Sequence, residues 1–68
     1  MIRFLIQSTD AGGRVSYLLS WGKWFEFTES AKQAHRFNTN GAADSILQTI
    51  TRDKWPGYEH KIVKARIG

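Results

Sequence analysis

One amphipathic helical stripe, set among segments that alternate with a period of two, constrains this chain most. Ala43, Ile46, Leu47 and Ile50 fall at i, i+3, i+4 and i+7, which is the spacing of one buried helix face. Thr39 precedes them and is a good N-cap residue. A single helical layer covers only one face of a sheet. The pattern therefore predicts an α+β fold, in which one main helix packs on one face of an antiparallel sheet of three to four strands.

Strands are predicted on both sides of this helix. Residues 2–8 and 15–20 alternate apolar and polar side chains, as half-buried strands do. The loop sequence Asp10-Ala11-Gly12-Gly13 between them favours a hairpin turn. A third strand is predicted over 24–27 and a closing strand over 58–67.

A short first helix is predicted between the third strand and the main helix. Thr28 or Ser30 can cap it, and the helix would run through Ala34 and Phe37. The sequence Lys54-Trp55-Pro56-Gly57 is predicted to end the main helix, with Trp55 in the core. The predicted element order is β-β-β-α-α-β.

The length of the chain limits its organisation. Sixty-eight residues predict a single domain over 1–68. The chain contains no cysteine, which excludes disulfide scaffolds and thiolate metal sites. No apolar run approaches the ~18 residues of a membrane helix, and the apolar N-terminus is too short for a secretory signal. We expect a cytoplasmic protein without membrane contact.

The sequence Trp21-Gly22-Lys23-Trp24 predicts the strand register of the second hairpin. Its glycine stands at the first central position of a two-residue loop, as a type II′ turn requires. Counting outward from that turn pairs Trp21 with Trp24, Ser20 with Phe25, Leu19 with Glu26, and Leu18 with Phe27. The predicted register places Leu18, Phe25 and Phe27 beneath the helix and leaves both tryptophans on the open face.

The open face is predicted to collect aromatic, aliphatic and cationic side chains. Its predicted members are Arg3, Leu5, Gln7, Tyr17, Leu19, Trp21, Trp24, Tyr58, His60, Ile62, Lys64 and Arg66. The candidate binding residues among them are Tyr17, Trp21, Trp24 and Tyr58 as anchors, His60 beside them, and Arg3, Lys64 and Arg66 as steering charges. Tryptophan, tyrosine and arginine dominate binding energy at protein interfaces. Two structural alternatives stay open: the tryptophans only stiffen the hairpin, and the lysines only protect an edge strand.

The sequence contains no recognisable motif for catalysis or metal binding. The chain has no cysteine nucleophile and no glycine-flanked serine, and Gly12-Gly13 does not form a phosphate-binding loop. His35 and His60 lie in unrelated patterns, so no catalytic pair or metal site is predicted. We expect no enzyme activity, no metal and no cofactor.

The charge of the chain indicates what kind of partner it has. A formal net charge of +4 favours an acidic protein face, a ribonucleoprotein or nucleic acid. Exposed aromatic rings beside cations can also stack the bases of a single strand, although the chain lacks the sequence typical of the common RNA-binding sheet. A contiguous apolar patch equally allows a homodimer. Binding to a host protein, binding to single-stranded nucleic acid and self-association all stay open.

The layout of residues 15–50 resembles small orphan proteins of bacteriophages and prophages. The resemblance is carried by Trp24-Phe25-Glu26-Phe27-Thr28, followed by Ala34, Phe37, Thr39 and Ala43. It implies a protein that binds a component of the host or of its defence, with the size and economy of anti-CRISPR inhibitors, in the host cytoplasm. The positive charge differs from that of acidic DNA mimics, so an inhibitor of this kind would occupy an acidic protein surface or contact nucleic acid. The resemblance assigns no site residue.

Overall fold

The computed structural model describes residues 1–52 and 57–67 of the chain. Their elements are β1 (Ile2–Thr9), β2 (Val15–Ser20), β3 (Glu26–Thr28), α1 (Asn40–Arg52) and β4 (Glu59–Arg66). The four strands form an antiparallel sheet in the order β3-β2-β1-β4. The predicted α+β class is confirmed.

The main helix forms where its apolar stripe predicted it. Ala43 and Ile50 of α1 are buried, while Ile46 and Leu47 are partly buried against the same core. The helix begins at a capping threonine, since the Ala42 amide donates to Thr39 Oγ1 at 3.1 Å and satisfies one of the free first-turn donors.

The core lies between α1 and one face of the sheet. Ile6, Leu18, Phe37, Ala43 and Ile50 form its buried centre, and Phe4, Phe25, Phe27, Ile46, Leu47 and Ile62 pack around them. Neighbours in a strand point to opposite faces. The packing of Phe4 and Ile6 against α1 therefore places Leu5 on the other face of the sheet.

The first hairpin closes through the predicted aspartate and glycine loop. Asp10 Oδ1 accepts hydrogen bonds from the amides of Gly12 and Arg14, each at 2.9 Å. Gly13 has a φ of 84°, a left-handed conformation that glycine adopts at little cost. The sequence-based prediction of this turn is confirmed.

The face assignment of the closing strand was wrong. Strand β4 pairs His60 with Ser8, Ile62 with Ile6, Lys64 with Phe4 and Arg66 with Ile2. Opposite residues of a ladder share a face, so these four β4 residues lie on the side of α1. Period-two alternation identifies the two faces of a strand, but only pairing with β1 decides which of them meets the helix.

The predicted two-residue turn at Gly22 and Lys23 was also wrong. Leu18 pairs with Phe27 as expected, but Ser20 pairs with Glu26, with a bulge between Leu18 and Ser20. The third strand begins at Glu26, so a loop of residues 21–25 replaces the tight turn. A bulge reverses the alternation beyond it, which is why the pairs predicted for Leu19, Ser20 and Trp21 do not form.

The predicted short first helix does not form. A turn and an isolated antiparallel bridge to β1 take its place. Residues 31–33 form a turn, and Phe37 exchanges two backbone hydrogen bonds with Phe4 of β1, at 2.9 and 2.8 Å. The His35 amide donates to the Leu18 carbonyl of β2 at 2.9 Å. We call residues 31–37 the inserted segment, because its end lies between β1 and β2 and hydrogen-bonds to both.

Two further predictions lie outside the described residues. They are the end of the main helix at Lys54-Trp55-Pro56-Gly57, of which only Gly57 is described, and the core position of Trp55. In the part of the chain that is described, no helix combines the length and the apolar character needed to cross a membrane.

Candidate binding surface

The end of the sheet at the β2–β3 loop carries exposed large apolar side chains. Trp24 is 65% exposed, Trp21 39% and Leu19 37%. We call Leu19, Trp21 and Trp24 the aromatic surface. Exposed indoles at one end of so small a protein leave apolar area that a partner can bury.

Trp21 is held in place by the inserted segment. Its ring is nearly parallel to that of Phe37, with centroids 5.4 Å apart and planes at 22°. The His35 ring meets Trp21 edge-on at 4.7 Å and contacts Phe37 at 4.5 Å. Because Phe37 belongs to the buried core, the indole is anchored on one side and exposed on the other, an arrangement typical of a preorganised contact residue.

Trp24 is exposed but forms a hydrogen bond with Glu26. Its Nε1 donates to Glu26 Oε1 at 3.0 Å, and Glu26 is the ladder partner of Ser20. The hydrogen bond satisfies the only polar atom of the indole while its ring stays in solvent. Trp24 and Trp21 therefore lie at the same end of the β2–β3 hairpin, with Lys23 between them in the sequence.

A shallow cavity lies beside the anchored indole. Leu19, Ser20, Trp21 and His35 line a volume of about 230 Å³. It is smaller than the roughly 300–1,000 Å³ typical of small-molecule sites. Its size suits one side chain or one base of a larger partner.

The structure divides the predicted binding residues among three places. Arg3 and Tyr17 lie on the face away from α1, where Gln7 Nε2 donates to the Tyr17 hydroxyl at 3.4 Å. Trp21 and Trp24 lie at the β2–β3 end. His60, Lys64 and Arg66 lie on the face of α1, and the Tyr58 ring lies nearly parallel to that of His60, with centroids 6.2 Å apart. The structure does not bring these residues together on one open face.

His60 occupies a polar position at the margin of the core. Its Nδ1 lies 2.6 Å from Oγ of Ser8, which is fully buried, and its ring lies near that of Phe27, with centroids 6.4 Å apart. Burial disfavours the charged imidazolium and lowers the pKa of His60 below its ordinary value. This histidine therefore links β1 to β4 at the margin of the core.

The sequence pattern did not predict two features of this surface. The bulge after Leu18 turns Trp21 toward Phe37, and His35 supports the indole from the inserted segment. The aromatic residues His35 and Phe37, two positions apart, have the spacing of an extended chain. Ala34 and Phe37, three positions apart, also fit the short helix that was predicted, so the pattern did not decide between the two.

The described residues contain no cluster of metal-ligating side chains and no pair of histidines in contact. Across residues 1–52 and 57–67, no three His, Cys, Asp or Glu side chains cluster as metal ligands do. The two histidines are engaged separately: His35 packs on Trp21 and Phe37, and His60 pairs with Ser8.

Comparison with known proteins adds no relative. Neither a protein-family model nor a curated protein nor a solved structure matches the chain.

Proposed function

We propose that this chain is a small non-enzymatic binding protein of phage or prophage origin that acts on a host macromolecule in the host cytoplasm. The aromatic surface is its main contact. The observation that carries the proposal is the pairing of an anchored indole with an exposed one at one end of the sheet: Trp21 rests on Phe37, and Trp24 is 65% exposed. Aromatic anchors held on rigid elements lose little conformational freedom when a partner covers them.

The partner proposed first is a host protein or ribonucleoprotein with an acidic face. The aliphatic Leu19 beside the indoles suits a protein contact, because bases stack on rings and gain less from aliphatic side chains. The formal charge of +4 would steer the chain to an acidic surface and increase the rate of association.

Site-specific photocrosslinking in bacterial cells tests this proposal. A benzoylphenylalanine at position 24 should give one discrete protein adduct, and the same group at Arg14, in the β1–β2 loop at the opposite end of the sheet, should not. Excess wild-type chain should compete for the adduct, whereas the Trp24→Ala variant should compete poorly. Equal crosslinking at positions 14 and 24 would count against the proposal.

A second candidate is binding to single-stranded nucleic acid through the same indoles. The exposed ring of Trp24 favours it, because a base can stack on an indole face at about 1–3 kcal/mol. Tryptophan fluorescence should then be quenched by an oligothymidylate, and the affinity should fall steeply with salt. An unchanged fluorescence at low salt would exclude this candidate.

The third candidate, a homodimer, is tested by sedimentation. Two copies that bury their aromatic surfaces against each other should associate in a way that Trp24→Ala abolishes. A wild-type chain that stays monomeric at about 100 μM would exclude a dimer with a Kd well below that concentration.

A further inference from the structure

A second cavity lies near the end of the sheet where β4 ends, and the contact proposed at the aromatic surface does not use it. Its volume is about 320 Å³, and its lining residues are Leu5, Ala31, Lys32, Arg36, Ala65, Arg66 and Ile67. We call it the basic groove. It is separate from the aromatic surface, although both adjoin the inserted segment, which lines the groove with Arg36 and the other cavity with His35.

The groove exists because the inserted segment lies beside the end of the sheet. Leu5 is only 3% exposed, although its strand neighbours pack toward α1 on the opposite face. The walls on either side include alanines, Ala31 on the turn and Ala65 on β4. Their short side chains leave space between the turn and the strand, and Ile67 adds a further apolar contact.

The charge around the groove has one sign. Among the described residues that line it, Lys32, Arg36 and Arg66 carry charge, and none of them forms an ion pair with any described residue. Arg36 Nη2 donates to the Lys32 carbonyl at 3.4 Å, so the guanidinium stays close to the turn. A carboxylate suits such a site, since charge-assisted hydrogen bonds from cations are stronger than neutral ones.

The volume and the lining residues of the basic groove together indicate which class of ligand fits it. A volume of about 320 Å³ lies at the lower end of the range of roughly 300–1,000 Å³ for small-molecule sites. Inorganic phosphate would leave the apolar floor uncovered, and an uncharged alkane would leave the three cations without a counter-charge. We propose that the basic groove binds a small carboxylate carried on an aliphatic chain.

Titration of the isotopically labelled protein with octanoate tests the proposal by NMR. The backbone amide signals of Leu5, Lys32, Arg36 and Ala65 should move together and saturate. Shortening the probe to heptanoate and hexanoate should weaken binding by about fourfold for each methylene removed, because each buried CH₂ contributes about 0.8 kcal/mol. Acetate, which has the charge alone, and octylammonium, which has the chain with the opposite charge, should not saturate these signals.

Variants separate the groove from general charge effects. Lys32→Gln with Arg36→Gln should weaken octanoate binding by about tenfold, because the carboxylate loses two of its cationic partners. The matched control, Arg14→Gln with Lys61→Gln, removes the same net charge outside the groove and should leave the affinity unchanged. Ala31→Leu should fill the groove and block the probe while the other amide signals keep their positions.

Several outcomes would overturn the proposal. They are the absence of saturable shifts with octanoate, equal shifts with acetate or octylammonium, no dependence on chain length, and equal loss of affinity in the matched control. If the double glutamine variant does not fold, Ala31→Leu alone decides the question, because octanoate binding that survives in that folded variant contradicts the assigned site.

Discussion

At the scale of single residues, His60 shows how a buried polar contact links two strands. Ser8 is fully buried on β1, and the 2.6 Å approach of its Oγ to His60 Nδ1 gives it a hydrogen-bonding partner on β4. Buried polar groups need such partners, because an unsatisfied one costs about 1–3 kcal/mol. The sequence pattern gave His60 an outward position, whereas the ladder gives it this structural role.

The lowered pKa of His60 predicts a stability that depends on pH. The folded state favours the neutral ring, so the unfolded chain binds more protons as the pH falls through the ordinary value of 6.5. The free energy of unfolding should therefore be greatest above that value and decrease at lower pH, until the folded state is protonated too.

Urea unfolding of the wild type and of His60→Gln at about pH 7.5 and pH 5.5 measures this effect. The wild type should lose more stability between the two conditions than the variant does, because glutamine does not titrate. Identical pH profiles for the two proteins would show that His60 does not contribute to the pH dependence.

The two tryptophans of the aromatic surface should differ in their effect on stability. Trp21→Ala removes contacts with both Phe37 and His35, so we expect a loss of about 1–3 kcal/mol in the free energy of unfolding. Trp24→Ala removes a mainly exposed ring and should change stability by at most about 0.5 kcal/mol. Thermal or urea unfolding of both variants measures the difference, and equal losses would contradict the anchored arrangement of Trp21. If Trp24→Ala behaves as expected, it is the cleaner probe of partner binding.

At the scale of elements, the helix is defined locally and the β2–β3 hairpin is not. Residues Ala43 to Ile50 repeat at helical spacing, and Thr39 caps the helix through a bond to a residue three positions away. The hairpin contained an equally clear turn signal at Gly22, but the bulge after Leu18 overrides it. A cross-strand pair contributes only about 0.2–1 kcal/mol. The contacts of Trp21 with the rings of His35 and Phe37 can contribute as much as the cross-strand pair that the tight turn would have formed.

Removal of the helix cap gives a prediction at this scale. Thr39→Ala should lower the free energy of unfolding by about 1 kcal/mol, because the Ala42 amide loses its acceptor. Thr39→Ser retains a hydroxyl and should lie within a few tenths of a kcal/mol of the wild type. Urea unfolding of the two variants side by side measures this, and equal stability of the alanine and serine variants would contradict the capping role.

At the scale of the whole molecule, the inserted segment joins parts that are distant in the sequence. It hydrogen-bonds to β1 through Phe37 and to β2 through His35, contributes Phe37 to the core, and lines both cavities. The position of Trp21 in the aromatic surface and the basic groove therefore both depend on how this segment packs.

Hydrogen exchange tests this arrangement. The amides of His35 and Phe37 should exchange as slowly as those in the middle of β1, because their hydrogen bonds open only when the sheet does. The Gln33 amide, which bonds to the Ser30 carbonyl within the local turn, should exchange faster. If His35 and Phe37 exchanged at the rate of Gln33, the segment would be an ordinary surface loop. NMR-detected exchange at neutral pH resolves all three amides.

Local elements of the molecule were predictable from the sequence, whereas the register of its strands was not. The capped helix, its buried stripe and the aspartate loop of the first hairpin were predicted because their residues lie within a few positions of one another. The candidate surface was predicted in part: Trp21 and Trp24 do lie together at an exposed end, but Tyr17 and His60 lie on opposite faces of the sheet. A shift of one residue in register reverses a strand's faces, and the pattern of β4 did not specify the register.

The sequence by itself determined the local elements of this protein and its α+β class, since helical spacing, capping and turn chemistry are properties of neighbouring residues. Tertiary structure alone decided the insertion of Phe37 beside Phe4, the bulge in β2 and the side of the sheet on which β4 presents its cations. Each of these depends on a comparison of free energies between contacts that join different segments of the chain, and no local periodicity contains that information.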